Sequence, residues 1–310
     1  MSFDLYFAGS RCKEADELMV NLGCNRLFSQ ENDRKNISNW QKYKNSRRHQ
    51  YKGKIFIDSG AFSVHTKGIE LDVDAYIDYI NSIDDDVCLF AQADKIPGEF
   101  GKIKTRTQIS EAPKLSWENY IYMKDRIKSR DKLIPIFHQG EDFKWLKNML
   151  EYTHEDGTHI RYIGISPAND KHTNEKEVFI RECFEIIKNS SNPNVCTHAF
   201  GMTSLKVLER YPFTSADSTS WLMTGANGNI ITPYGLICIS DKSRSDFKNI
   251  FSMNKEAIET IDNYISKYGF TLEQASKDYK IRMMLNIYYL KEWSDNYTYK
   301  PIKCIKKHLF

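Results

Sequence analysis

Two aspartates, each closing an apolar run, have the residue type and setting that could do chemistry. Asp58 ends the run Ile55-Phe56-Ile57 and is followed by Ser59-Gly60-Ala61-Phe62-Ser63; Asp217 ends Phe213-Thr214-Ser215-Ala216. A strand that stops at an acid and turns through small residues delivers a carboxylate to the mouth of a parallel sheet or barrel. Two such acids, remote in sequence, suit a nucleophile and a proton-transfer partner. Either one alone reads better as a turn or helix cap, a common use of Asp after a strand. The set decides. Asp94 follows Leu89 to Ala93, His138 and Gln139 follow Pro135-Ile136-Phe137, and Gly164 and Ser166 end the run from Tyr162. His198 and Phe200 end the run from Val195. Polar groups at six strand ends would converge on one rim if the strands form a barrel.

The elements that must position these residues alternate in kind. Strands are predicted at 3–8, 54–57, 87–93, 133–137, 162–165, 195–199 and 213–216. Helices are predicted at 14–22, 73–83, 116–129, 143–152, 175–188 and 204–210, the last capped by Thr203. Such alternation argues for a parallel sheet, and seven or eight strands favour a (β/α)8 TIM-like barrel. Residues 34–54 read as a loop or small helix beside the active rim. After Asp217 the pattern breaks into a β-hairpin over 229–239, turning near Pro233 to Gly235. The tail from 255 to 296 is amphipathic helix, with Leu285, Ile287, Tyr288, Leu290 and Trp293 as its packing face. The expected division is a barrel over 1–250, carrying the hairpin, and a C-terminal helical extension over 251–310 packed on it.

Composition narrows the class. The chain has 310 residues, 41% of them hydrophobic, and 44 basic against 41 acidic side chains give a net charge of +3. Global charge therefore announces no polyanion, but local clusters exist. Arg47 and Arg48 stand among Lys42, Lys44, Lys52 and Lys54, and Lys102, Lys104 and Arg106 form a second group; a third lies in the last eleven residues. Seven scattered cysteines without a CxxC motif read as reduced core thiols of a cytoplasmic protein. No signal-like N-terminus or membrane-length apolar run is expected. No HExxH, His-x-His or paired-carboxylate spacing is present, and no GxxxxGK[ST] or GxGxxG, so neither a metal nor a nucleotide cofactor is expected.

The order of the segments resembles the tRNA-guanine transglycosylase superfamily over residues 50 to 240. Asp58-Ser59-Gly60-Ala61-Phe62 is similar to its DSGG[FY] strand end, and Ala91-Gln92-Ala93-Asp94 to the segment whose Asp reads guanine. Phe137-His138-Gln139-Gly140 is similar to its VQG, and Ile163-Gly164-Ile165-Ser166 to its IGGL-type turn. His198-Ala199-Phe200-Gly201 matches the segment ending in Gly before a helix, and Asp217 falls where the family has its nucleophile. The family's CxCxxC…H zinc motif is absent, Ser63 replaces a glutamine, and Ser218 stands where Cys is usual. Lacking that zinc subdomain, the chain looks most like the phage-type DNA-guanine transglycosylases of the DpdA kind.

The resemblance implies exchange of guanine in DNA for a 7-deazaguanine such as preQ0, with no cofactor. Asp217 would attack C1′ and Asp58 would shuttle protons. Phe62 and Phe200 would sandwich the base, with Asp94 and Gln139 reading its edge. Ser59, Gly60, His138, Gly164 and Gly201 would line the pocket. Arg47, Arg48, Lys102, Lys104 and Arg106 are the candidates for holding the nucleic-acid backbone. The partners implied are guanine-containing DNA and the incoming base, in a bacterial or phage-infected cell; no membrane is implied, and a homodimer is left open. The alternatives are a zinc-less tRNA enzyme, a hydrolytic N-glycosidase, a non-catalytic nucleic-acid-binding barrel and a metal-dependent barrel hydrolase.

Overall fold

Apolar residues at alternating positions build the strands, and the period of two sorts their side chains onto opposite faces. A computed structural model describes residues 3–10, 12–44, 51–99, 101–168, 171–202, 204–242 and 249–301. The first strands are β1 Asp4–Ala8, β2 Asn25–Ser29, β3 Ile55–Asp58, β4 Leu89–Ala91, β5 Leu133–Ile134 and β6 Ile136–His138. They are followed by β7 Tyr162–Ser166, β8 Cys196–Ala199 and β9 Ser215–Ser218, then by β10 Asn229–Thr232 and β11 Gly235–Cys238. The helices are α1 Lys13–Leu22, α2 Gln30–Lys44, α3 Ala61–Thr66, α4 Val73–Ile83, α5 Arg106–Lys124 and α6 Lys144–Glu151. The rest are α7 Thr173–Lys188, α8 Leu205–Arg210, α9 Ser220–Ala226, α10 Lys255–Ser266, α11 Leu272–Lys277 and α12 Tyr279–Asp295.

Strands β1 to β9 form one all-parallel sheet in the order β5-β4-β3-β2-β1-β9-β8-β7-β6. Its two edges, β5 and β6, are separated only by Pro135. The Ile134 carbonyl accepts from Gln92 N at 3.0 Å, and the Pro135 carbonyl accepts from Gly164 N at 2.8 Å. Proline lacks an N–H and cannot continue the first ladder, so the chain passes from one neighbour to the other at this residue. The sheet is therefore nearly closed and barrel-like. Tyr6, Ala8, Leu27, Phe56, Leu89, Ala91, Ile134 and Ile136 fill its inside together with Tyr162 and Phe200. The alternate residues, among them Phe7, Phe28, Ile57, Phe90 and Ile165, pack outward under the helices.

Several expectations shift. β2 is absent from the sequence reading because Arg26 breaks its apolar pattern. That arginine is fully buried, donates to Asp16 at 3.1 Å and to the Gly9 carbonyl, and lies 4.8 Å from the ring centroids of Phe28 and Trp40. Burial with partners and aromatic faces on both sides makes a cation a core residue. In place of a loop or small helix at 34–54, α2 runs fifteen residues with Ile37 and Trp40 buried. α5 starts ten residues before its expected position, where Thr105 and Gln108 form a capping box, and it carries Pro113 inside. Thr203 lies outside the described residues; Ser204 precedes α8.

The antiparallel hairpin β10–β11 forms where expected. Its Ile230 and Ile237 share a separate core with Ile261, Ile265, Ala275 and Leu285 of the C-terminal helices. Met283, Ile287 and Leu290 on α12 join the main core, and α12 runs directly against α9. A Cβ on Gly225 would lie 2.8 Å from the Met283 backbone nitrogen. Such a clash with backbone relaxes only if the helices part, so Gly225→Ala should destabilise the fold by about 1–3 kcal/mol. Urea unfolding should show a lower midpoint at an unchanged slope.

Candidate active site at the strand ends

Parallel pairing brings Asp58 (end of β3), Asp94 (after β4), His138 (end of β6) and Asp217 (in β9) to one rim. Asp217 is 8% exposed. Its Oδ1 accepts a hydrogen bond from Gly201 N at 2.8 Å and lies 3.3 Å from His198 Nε2. Among the described residues no hydrogen bond occupies Oδ2. Asp58 is half-buried, and its Oδ2 accepts from Gly60 N at 3.0 Å. Burial raises the Asp58 carboxyl to about 6; the Gly60 N–H opposes this, and the charges of Asp94 and Asp217 add to it.

Asp94 is paired. Its Oδ2 lies 3.0 Å from His138 Nε2, and its Oδ1 accepts from Gln92 Nε2 at 2.6 Å. Burial alone would lower the His138 imidazole, but the Asp94 carboxylate outweighs it, with help from Glu141 and Asp58, and lifts it to about 9. His138 is therefore an imidazolium at neutral pH. Glu141 accepts from His138 N at 3.1 Å, and burial pushes its carboxyl to about 7 against the His138 charge. Glu141 thus joins Asp58 and Asp94 around the His138 cation.

Other expected pocket residues do different work. The Gln139 side chain is engaged by backbone, accepting from Ala168 N at 3.0 Å and donating to the Glu175 carbonyl at 3.4 Å. It therefore does not join Asp94; the neighbouring His138 does. Gly164 lies buried inside β7, not at the rim, and its N–H bonds Pro135. A Cβ there would come 2.5 Å from the Phe200 ring, so this glycine makes room for Phe200 instead of completing a pocket wall. Phe200 packs its ring at 4.5 Å from His198 and 5.7 Å from Phe56, which makes it part of the barrel interior. Gly201 anchors Asp217. Ser59 is buried, and its hydroxyl accepts from Ala61 N at 3.4 Å, a turn contact. Gly60 bonds Asp58, and Phe62 stands 64% exposed at the mouth.

The cations divide. Lys102 pairs with Glu99 at 2.5 Å, while Lys104 on the β4–α5 connection and Arg106 at the start of α5 are exposed. Arg47 and Arg48 lie outside the described residues. Lys54, from the same basic stretch, precedes β3 and pairs with Asp4 at 2.6 Å, at the opposite end of the sheet from Asp58. A cleft of about 450 Å³ runs between residues 64–71 and 94–99. Asp94, Lys67 and Lys95 line it but Asp58 and Asp217 do not, so it adjoins the paired carboxylates instead of enclosing them. Among the described residues no group of three His, Cys, Asp or Glu side chains could hold a metal, and no helix is long and apolar enough to cross a membrane.

Ser215, Tyr162 and Glu141 have no role in the sequence reading, and His198 enters it only as one of the strand-end polar groups. The usable signal for His198 is an imidazole within the short strand run Val195 to Ala199, on the inward-facing set. Comparison of the chain with protein-family models and with curated proteins finds no match.

The Asp58 environment has a thermodynamic consequence. A carboxyl raised to about 6 in the folded protein favours folding fully below its unfolded value, and that contribution is lost as pH rises through about 6. Asp58→Asn should therefore gain stability relative to the parent between pH 4 and pH 8, by roughly 2 kcal/mol after allowance for partial exposure. Denaturant unfolding of both proteins at the two pH values reads this directly.

Proposed function

We propose that this chain is a guanine transglycosylase that exchanges guanine in DNA for a 7-deazaguanine base. The observation that carries the reading is the contrast between two carboxylates on one rim. Asp217 is tethered through Oδ1 with Oδ2 unengaged among the described residues. Asp58 holds its proton up to about pH 6. One is prepared to attack and the other to exchange a proton. Counting β5 and β6 as one strand interrupted at Pro135 gives eight strands, in keeping with a (β/α)8 barrel whose catalytic groups sit at the C-terminal rim.

In this mechanism the target guanine leaves the base stack to reach the rim. Asp217 Oδ2 attacks C1′, the C1′–N9 bond breaks, and its electron pair stays on guanine, which takes a proton from Asp58. The incoming base gives its N9 proton to Asp58 and attacks C1′, releasing Asp217 as a carboxylate. Guanine presents an O6 acceptor beside N1–H and N2–H donors. His138 and Asp94 offer the complementary donor and acceptor, since each carboxylate oxygen keeps a second lone pair. His138 thus takes the part that the family resemblance gave to Gln139. Phe62 at the mouth offers a stacking face, and Lys104 and Arg106 suit the phosphates.

Asp217→Ala should form no covalent protein–DNA adduct and exchange no labelled guanine, whereas Asp58→Ala should slow turnover by at least about 100-fold. Native-rate exchange by Asp217→Ala would overturn the nucleophile assignment. Asp94→Asn should weaken guanine uptake more than DNA binding. Nucleoside mass spectrometry of duplex DNA, single-stranded DNA and tRNA incubated with the protein and preQ0 identifies the polymer; free guanine with abasic sites would mark hydrolysis instead.

A further inference from the structure

Below Asp217 a line of polar side chains runs through a barrel interior that is otherwise mostly apolar. His198 Nε2 lies 3.3 Å from Asp217 Oδ1, His198 Nδ1 lies 2.6 Å from Ser215 Oγ, and Ser215 Oγ lies 2.7 Å from the Tyr162 hydroxyl. His198 and Ser215 have no exposed surface. The imidazole is boxed by three rings, Phe200 at 4.5 Å, Phe56 at 4.8 Å and Tyr6 at 5.9 Å, each steeply inclined to it. A ring so enclosed cannot turn to another partner without displacing an aromatic neighbour. Tyr162 lines a bowl of about 950 Å³ at the other end of the strands.

The donor and acceptor roles along this line follow from its last member. As the nucleophile proposed above, Asp217 is a carboxylate that only accepts, so His198 Nε2 carries the hydrogen. In a neutral ring Nδ1 then accepts, which obliges Ser215 to donate to it and Tyr162 to donate to Ser215. Every hydrogen bond in the chain points toward Asp217. Burial holds the Tyr162 phenol well above its ordinary range, which keeps it a donor.

We propose that His198, oriented by Ser215 and Tyr162, is a positioning residue that fixes Oδ1 of Asp217 and thereby commits Oδ2 to the reacting carbon. This rests on Asp217 being the nucleophile proposed above. The ester formed through Oδ2 keeps Oδ1 as its carbonyl, so His198 and the Gly201 N–H hold the same oxygen before, during and after the covalent step. When the incoming base displaces the ester, the C1′–Oδ2 bond breaks and its electron pair returns to the carboxylate. The two fixed donors then stabilise the charge that reappears, with no rearrangement.

The test uses the full chain labelled with ¹⁵N-histidine, and four variants: His198→Gln, His198→Leu, Ser215→Ala and Tyr162→Phe. Nitrogen NMR, assigned by the signal lost in His198→Gln, should show His198 as the neutral Nε2–H tautomer, with that signature weakened in Ser215→Ala. Single-turnover adduct formation on guanine-containing DNA should fall about 10- to 100-fold in His198→Leu with unchanged DNA affinity. It should recover in part in His198→Gln, whose amide can still donate to Asp217, and fall by smaller steps in Ser215→Ala and Tyr162→Phe. An Nδ1–H tautomer, or a wild-type adduct rate in His198→Leu, overturns the proposal. If His198→Leu does not fold, the two outer variants carry the rate comparison, and wild-type rates in both overturn it. If the unaltered protein forms no adduct, the functional reading fails, while the tautomer still decides whether the chain anchors Oδ1.

Discussion

Parallel pairing of nine strands forces the chemistry of this protein into one place, because every strand then ends on the same side of the sheet. Asp58, Asp94 and Asp217 stand far apart in sequence and come together for that reason alone. Like charges gathered this way repel, and the fold answers each one separately. Asp94 receives the His138 imidazolium, Asp217 receives the Gly201 N–H beside His198, and Asp58 receives only backbone N–H groups, those of Gly60 and Ser59. Burial raises the Asp58 carboxyl to about 6. Chemically identical side chains are thus made different by unequal solvation and unequal partners.

The two histidines of the rim show the same principle from the other side. His138 sits among carboxylates and gains a proton from their field. His198 is enclosed by Tyr6, Phe56 and Phe200, with a hydroxyl on one nitrogen and a carboxylate on the other. One carries charge and the other is fixed in direction. Gly201 and Gly164 serve these arrangements indirectly, the first by aiming an N–H at Asp217 and the second by leaving space for Phe200.

Much of this is legible in the amino-acid sequence, and the failures have physical causes. The acids at 58, 94 and 217 are visible because each follows an apolar run and precedes a turn. The hairpin and the helical tail are visible because turn residues and periodicity bound them. β2 is hidden because a buried Arg26 looks like a surface residue until Asp16, Phe28 and Trp40 are known to surround it. The choice between His138 and Gln139 is hidden too. Adjacent residues at a strand end point opposite ways, and register, which is a property of the neighbours, selects the one that faces Asp94. The start of α5 at Arg106 is set by the Thr105 cap, a local signal masked by the glycines and lysines before it.

The break at Pro135 has a further consequence for the rim. β5 pairs with β4 and β6 pairs with β7, but no strand pairing joins β4 to β6. Above the proline, the residues following β4 and those ending β6 face each other without a ladder, and the 3.0 Å contact between Asp94 and His138 spans that gap. One side-chain pair therefore acts as a clasp on a ring that backbone hydrogen bonds leave ajar. A molecule that drew Asp94 or His138 toward itself would compete with the side-chain pair that spans the break.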